Sequence, residues 1–454
     1  VKQLFPLQKS QEKGNAQVVV RLSNRACCRR LLLFLLSSIC GWAMAVEPLP
    51  SPLTLAYALS LADAQHPERT LADAALAQAE AARHLADSND DLRVDLSAEL
   101  RAIEPSEIAI YQTHNDSLAR LKISKQLYDF GRTAHALEAA DADLESRRWQ
   151  LVEVRQQRRL DVMARYFNVL LADLENARDT EALSIDYIRF DRARTKNELG
   201  RVSDVEMLEL ESRYQQSRRK AALSGNRQRI TRSQLAISLN RPLDLPAELE
   251  MPNFEAQDEL ADVDELVALA LSGNPGMQKL RAELQAAQKQ LQASESESNP
   301  VIRAQLEAAT YERELGGRNP LTAALVFEVP LYQGSRVEAD SARQRARVQQ
   351  KQAELAAYEL ALRQQVLDYW MELNQLRVAA EEITVTGDYR DLYLDRSRTL
   401  YELDLSSDLG DSMTQIADIQ FQQAKNTYQI QLALAHLKAL TGGLLEAEKG
   451  AGKP

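Results

Sequence analysis

Residues able to do chemistry are plentiful in this chain, and few stand in a pattern that chemistry uses. The five histidines, His66, His84, His114, His135 and His436, are scattered, with no HExxH or other metal-ligand spacing, so no metal centre is expected. No GxSxG nucleophile elbow, P-loop or GxGxxG occurs, and Gly316-Gly317 falls in a loop between strand-like stretches. With 66 Asp and Glu in 454 residues, no carboxylate pair stands out as an acid–base couple. The chain therefore reads as a non-enzyme without a cofactor. One acidic spacing remains: Asp408 and Asp411 stand three apart at the start of a helical run, which puts both carboxylates on one face. Such a pair either favours the helix N-terminus as cap and dipole partner, or, repeated about a symmetry axis, forms a cation-selective ring.

The elements that would position those carboxylates follow from a stretch used twice. Leu121–Arg132 ends in Leu-Tyr-Asp-Phe-Gly-Arg, and Leu325–Arg336, 204 residues later, ends in Leu-Tyr-Gln-Gly-Ser-Arg. Before Tyr128 and Tyr332, apolar residues alternate with polar or small ones, the period of a strand with one apolar face. After Arg132 and Arg336 come long Ala-, Leu- and Arg-rich runs without Pro, the pattern of helix. The strand-to-helix residues are Tyr128, Gly131 and Arg132, then Tyr332, Gly334 and Arg336. A repeat at this separation implies an internally duplicated protein.

Composition limits where such a protein works. Residues 1–45 carry Arg21, Arg25, Arg29 and Arg30, an apolar run from Leu31 to Ile39, and Ala43-Met44-Ala45, the layout of a secretory signal peptide cleaved before Val46. Cys27, Cys28 and Cys40 all lie in it, so the expected mature chain has no disulfide. It keeps 48 Lys and Arg against 65 Asp and Glu, a net charge of −17, which disfavours nucleic acid as a partner. No later apolar run is long enough to cross a bilayer as a helix, so membrane entry requires strands in a closed barrel.

Taken in order, residues 46–242 form a first repeat, 243–262 a linker marked by Pro242, Pro246 and Pro252, 263–443 a second repeat, and 444–454 a flexible tail. Each repeat reads as a short helix, a Pro-led helix (Pro67, Pro275), two strands and a long helical hairpin. Residues 93–102 alternate Val94, Leu96, Ala98, Leu100 and Ala102 against Arg93, Asp95, Ser97, Glu99 and Arg101; Ile302, Ala304, Leu306 and Ala308 repeat the phase. Tyr111, Tyr128, Phe130, Tyr311 and Tyr332 border the strands as an aromatic girdle would. The helices after Arg132 and Arg336 are expected to run roughly 100 Å, at about 1.5 Å per residue, before turning at Leu199-Gly200-Arg201 and Leu403-Asp404-Leu405. Returning helices then cover Ser203 to Leu239 and Ser407 to Leu440. Trp149 and Trp370 are expected in helix packing, and the Arg148, Arg155, Arg158, Arg159 group on a solvated or interprotomer face.

Four strands cannot close a barrel, and an open edge in lipid leaves backbone groups without partners, so copies must combine. Twelve strands from three copies leave a lumen, whereas eight are filled by their own side chains. The repeated LYDFGR and LYQGSR elements, the Ala164–Leu170 run Ala-Arg-Tyr-Phe-Asn-Val-Leu, the duplication and the two tip motifs together resemble the TolC family of outer-membrane efflux proteins, over nearly all of residues 53–443. The resemblance implies a mainly α protein with a transmembrane β-barrel. Its homotrimer would have a 12-stranded barrel in the outer-membrane lipid of a Gram-negative bacterium and a long α-helical barrel in the periplasm. It implies an exit duct for efflux or type I secretion, fed by an inner-membrane transporter through a periplasmic adaptor. The adaptor would contact the tips at Leu199, Gly200, Arg201, Ser203, Asp204 and Leu405, and the entrance ring would be Asp404, Asp408 and Asp411. Asp204 matches Asp408 in the repeat. Asp404 stands where the family pattern has a latching arginine, so the closed entrance here must be held differently. The rival reading is an exported trimeric coiled-coil structural protein or adhesin without a pore.

Overall fold

A computed structural model of the chain describes residues 49–64, 66–244, 246–254, 260–313, 318–403, 405 and 409–445. The expected leader, Gly316-Gly317, Asp404, Ser407, Asp408 and the tail beyond 445 lie outside the described residues. The helices in chain order are Leu55–Ala62 (α1), Pro67–Asp87 (α2), Arg132–Glu198 (α3), Asp204–Ser238 (α4), Val263–Gly273 (α5), Pro275–Glu295 (α6), Arg336–Glu402 (α7) and Leu409–Leu440 (α8). The strands are Arg93–Glu99 (β1), Leu118–Tyr128 (β2), Val301–Tyr311 (β3) and Leu321–Glu328 (β4).

Local chemistry sets the starts of the shorter helices. His66 caps α2 by accepting from the Glu68 amide at 3.3 Å, and Asn274 caps α6 by accepting from the Met277 amide at 3.0 Å. Each is followed by a proline at the first helical position, where a missing N–H costs nothing. The duplication is clearest in α3 and α7, each 67 residues long. A helix of that length buries one stripe against its hairpin partner. In α4 this stripe is Ser217, Ser224, Thr231 and Ser238, small residues at seven-residue intervals that let α4 lie close to α3.

The strands form one antiparallel sheet in the order β1-β2-β3-β4, with β1 and β4 as its edges. Its register keeps apolar with apolar: Val94 pairs with Ile123, Ile123 with Leu306, and Leu306 with Ala323. The other face carries rows such as Asp95, Lys122, Glu307 and Thr322. A bulge at Leu127 lets Gln126 and Tyr128 pair with the consecutive residues Arg303 and Ile302. β1 ends at Glu99 rather than at Ala102, which is joined to Asn115 only by an isolated bridge. β4 likewise stops at Glu328, short of the alternation expected through Leu331, because its ladder partner β3 starts at Val301 and neither Pro300 nor Pro330 has an N–H to extend the pairing.

In the helical layer α3 packs on α4, α3 on α8 and α8 on α7, giving the order α4-α3-α8-α7 toward the hairpin tips. Nearer the strands, α2 lies on α3, and α6 lies between α3 and α7. The hydrophobic core sits where the shorter helices meet the long ones, with Met277, Leu362, Val366, Leu373, Ala433 and Leu437 in one cluster. Phe167 of α3 stacks on Tyr428 of α8 with ring centres 4.7 Å apart.

Candidate channel wall, waist and hairpin tips

Among the described residues, none covers the apolar sheet face. Leu96, Leu325 and Phe327 are 78%, 70% and 62% exposed, a continuous apolar surface that a water-soluble protein would bury. The polar face is cross-linked by charge instead: Arg120 Nε lies 2.9 Å from Glu307 Oε1, and Arg303 Nη1 lies 2.8 Å from Glu328 Oε2. Both signs are present, so this wall suits water and ions. A cleft of about 540 Å³ opens where it meets the helices, bordered by Arg93, Lys122, Arg132, Glu297 and Arg303. No helix among the described residues is long and apolar enough to cross a membrane.

The strand-to-helix corner is tied by a residue that the sequence did not single out. Asp129 is buried, and its carboxylate accepts from the Thr133 amide at 2.7 Å, the Thr133 hydroxyl at 2.6 Å and Gln126 Nε2 at 3.0 Å. It thereby satisfies amide groups at the start of α3 that no helical carbonyl reaches. The signal for it lay in the Asp-Phe-Gly-Arg-Thr spacing, an acidic side chain just ahead of a helix start. Phe130 and Gly131 have φ of 54° and 94°, and in the second repeat Gly334 has φ of 66°. The left-handed residue common to both corners is thus Phe130 matched with Gly334, not Gly131 with Gly334. Tyr128 ends β2 and meets Phe130 edge-on at 4.7 Å, whereas Tyr332 lies beyond β4 and is 89% exposed. Arg132 and Arg336 converge on Glu297, at 3.6 and 3.0 Å.

At the waist, distant segments meet around Tyr166. Leu53 and Leu249 pair as a parallel bridge, and Tyr166 Oη lies 2.7 Å from the Leu53 carbonyl oxygen and 2.6 Å from that of Glu250. Burial pushes the Tyr166 hydroxyl up to about 12. The arginine group corrects an expectation in part: Arg148 and Arg155 keep side chains at least partly exposed to solvent, whereas Arg158 and Arg159 turn inward. Arg158 is 4% exposed and donates to the Ala62 and Ser238 carbonyls at 3.1 and 3.2 Å, closing the ends of α1 and α4. Burial lowers its pKa from the ordinary value, with Glu68 opposing the shift. Arg155 and Arg159 both pair with Asp63. Arginine reads as surface in a sequence, yet its fork can satisfy carbonyls at two helix ends at once. Trp370 donates to the Ala261 carbonyl of the linker at 3.3 Å, and Trp149 is half-buried on α3. The described histidines are apart: His436 stacks on Tyr369, His66 is a cap, and no metal-ligand group forms among the described residues.

At the first tip, Gly200 has φ of 70°, and the Gly200 and Arg201 amides donate back to Asn197 and Lys196, both at 2.8 Å. Ser203 caps α4 by accepting from the Glu206 amide at 3.2 Å, and Asn197 Nδ2 bonds Asp204 Oδ1 at 2.9 Å. Ser203 and Asp204 therefore hold the turn, while Leu199, Gly200 and Arg201 are exposed at its crest. Leu403 and Leu405 are 60% and 70% exposed at the second tip. Of the three carboxylates expected at the entrance, Asp411 is described: its Oδ1 lies 2.8 Å from Arg189 Nη1 of α3. That hydrogen bond is the largest cause raising the Arg189 pKa. Arg189 was not foreseen, because nothing local links it to a residue more than two hundred positions away.

Two comparisons bear on this architecture. Residues 266–443 match the family model described as outer membrane efflux protein. No curated protein sequence matches the chain. Among solved structures, the outer membrane protein VceC of Vibrio cholerae superposes with a TM-score of 0.70 at 17% identity, covering 86% of this chain and 96% of that one. The outer membrane channel CmeC of Campylobacter jejuni gives 0.74 at 12%, covering 88% and 89%. The open state of the Neisseria gonorrhoeae channel MtrE gives 0.66 at 17%, covering 86% and 89%. The fold is that of these outer-membrane channels. Residues 266–443, in the second repeat, are similar to the outer membrane efflux protein domain, and the resemblance stated from the sequence extends to the fold.

Proposed function

We propose that three copies join edge to edge into a twelve-stranded barrel in the outer membrane, continued by a helical tube in the periplasm. The observation that carries this reading is the sheet itself: four strands with two free edges, one uncovered apolar face for lipid and one charged face for water. The assembly then serves as a passive exit duct. Substrate reaches it from an inner-membrane transporter through a periplasmic adaptor that engages Leu199, Gly200, Arg201 and Leu405 at the tips. Asp404, Asp408 and Asp411 line the periplasmic entrance as a ring of negative charge. Native mass spectrometry in detergent is expected to give a trimer, and planar-bilayer recording a conductance; a stable monomer, or a trimer that never conducts, would overturn the proposal. The second outcome would favour a structural coiled coil or adhesin. For the tips, photo-crosslinkers at Arg201 and Leu405 are expected to capture an adaptor in cells.

A further inference from the structure

Among the described residues, the helical layer exposes two apolar faces whose spacing matches. On α4, a stripe about 100° around the helix from the buried Ser217, Ser224 and Thr231 exposes Leu223, Ile230 and Ile237, at 57%, 56% and 55%. On α7, the side opposite the buried Leu373, Gly387 and Leu394 exposes Met371, Val378 and Val385, at 49%, 68% and 69%. Both stripes repeat every seven residues, the interval of a coiled-coil seam. They lie on the two edge helices of the order α4-α3-α8-α7. Different complementary patches at opposite edges of one chain make a head-to-tail contact, which closes into a ring when copies are related by rotation.

Resting on the trimeric reading above, we infer that α4 of one copy packs antiparallel on α7 of the next in one register: Leu223 against Val385, Ile230 against Val378, and Ile237 against Met371. Rotation about an axis along the helices keeps equivalent residues of every copy level, so the register follows from bonds inside one copy. Across the first hairpin, Ser217 bonds Asp186, and Arg227 pairs with Glu175 at 2.9 Å. Given the even helical rise, these bonds put Leu223 level with about residue 180 of α3. α8 touches both long helices: Asp418 pairs with Arg178 of α3 at 2.9 Å, Gln415 with Arg390 of α7 at 2.6 Å, and Asn426 with the Leu376 carbonyl at 3.1 Å. Through α8, the α7 residue level with a given α3 residue is numbered about 206 higher, so Leu223 falls within about one position of Val385.

Charge is complementary in the same register. Exposed Lys220 and Arg213 of α4 meet exposed Asp388 and Asp395 of the next copy, and Glu211 meets exposed Arg396. Such flanking pairs choose partner and orientation in coiled coils.

Residues 46–454 carry no cysteine, so once the expected leader is removed introduced thiols report alone in the membrane-inserted protein. Oxidation of a Leu223→Cys/Val385→Cys variant is expected to give covalent dimers and trimers on non-reducing gels. Leu223→Cys/Val378→Cys, one heptad or roughly 10 Å out of step, is expected to give none, because a disulfide needs Cα atoms within about 7 Å. Asp388→Lys is expected to lower trimer recovery at low salt about fivefold, and adding Lys220→Glu to restore it. Crosslinking in the Leu223→Cys/Val378→Cys variant but not in the Leu223→Cys/Val385→Cys variant would overturn the register. A trimer captured by an amine crosslinker while neither double variant forms a disulfide would overturn the seam and leave the trimer standing; recovery of monomer alone would overturn both.

Discussion

Arg189 Nη1 lies 2.8 Å from Asp411 Oδ1, joining the first repeat's long helix to the second repeat's returning helix close to the tips. The carboxylate expected to line the entrance thus also serves as a tie between repeats. Two substitutions separate the roles. Asp411→Asn removes both the tie and a negative charge, whereas Arg189→Gln removes the tie and leaves the charge exposed. In bilayer recordings Asp411→Asn is expected to lower cation selectivity and block by multivalent cations, and Arg189→Gln to raise them. Equal shifts in the same direction would assign Asp411 to the tie alone. Because Asp411 is 56% exposed, the tie itself is worth only about 0.2–1 kcal/mol, so neither variant should unfold the tips.

Gly334 has φ of 66°, a left-handed backbone that costs a residue with a Cβ about 1–2 kcal/mol. Nothing lies within 4 Å of a Cβ built there, so the cost of Gly334→Ala is conformational rather than steric. Thermal unfolding is expected to show a loss of about that size. Ser335→Ala, at φ of −83° and without a capping bond, is expected to be near neutral.

Arg158→Met should remove two buried hydrogen bonds while keeping the apolar stem that packs at the waist. Leaving the Ala62 and Ser238 carbonyls without a donor is expected to cost about 2–4 kcal/mol, read by denaturant unfolding. Arg148→Met, at an exposed site paired with Glu145 a turn away, is expected to change stability by less than about 0.5 kcal/mol.

Tyr166 offers a pH test. Its hydroxyl titrates near 10.0 when unperturbed and is pushed up to about 12 in the fold, so folding favours the neutral form. That contribution is complete below pH 10 and is lost as pH rises toward 12. Tyr166→Phe is expected to cost roughly 1 kcal/mol at neutral pH and to flatten the fall in stability across that alkaline window. An unchanged alkaline profile would count against the placement of Tyr166 between Leu53 and Glu250.

What the sequence determined by itself is what short-range periodicity encodes. Alternation at Val94, Leu96 and Ala98 and at Ile302, Ala304 and Leu306 identified one-sided strands; the Pro-free runs after Arg132 and Arg336 identified two long helices; and the 204-residue offset identified the duplication. Each depends on neighbours a few positions apart. Tertiary structure alone decided which distant residues meet. Tyr166 reaches the Leu53 and Glu250 carbonyls, Arg158 turns inward to two helix ends, and Arg189 finds Asp411. Phe130 adopts a backbone form that favours glycine because a strand must turn into a helix there. A side chain's polarity tells what it can bond; only the packing of segments far apart in the chain supplies the partner.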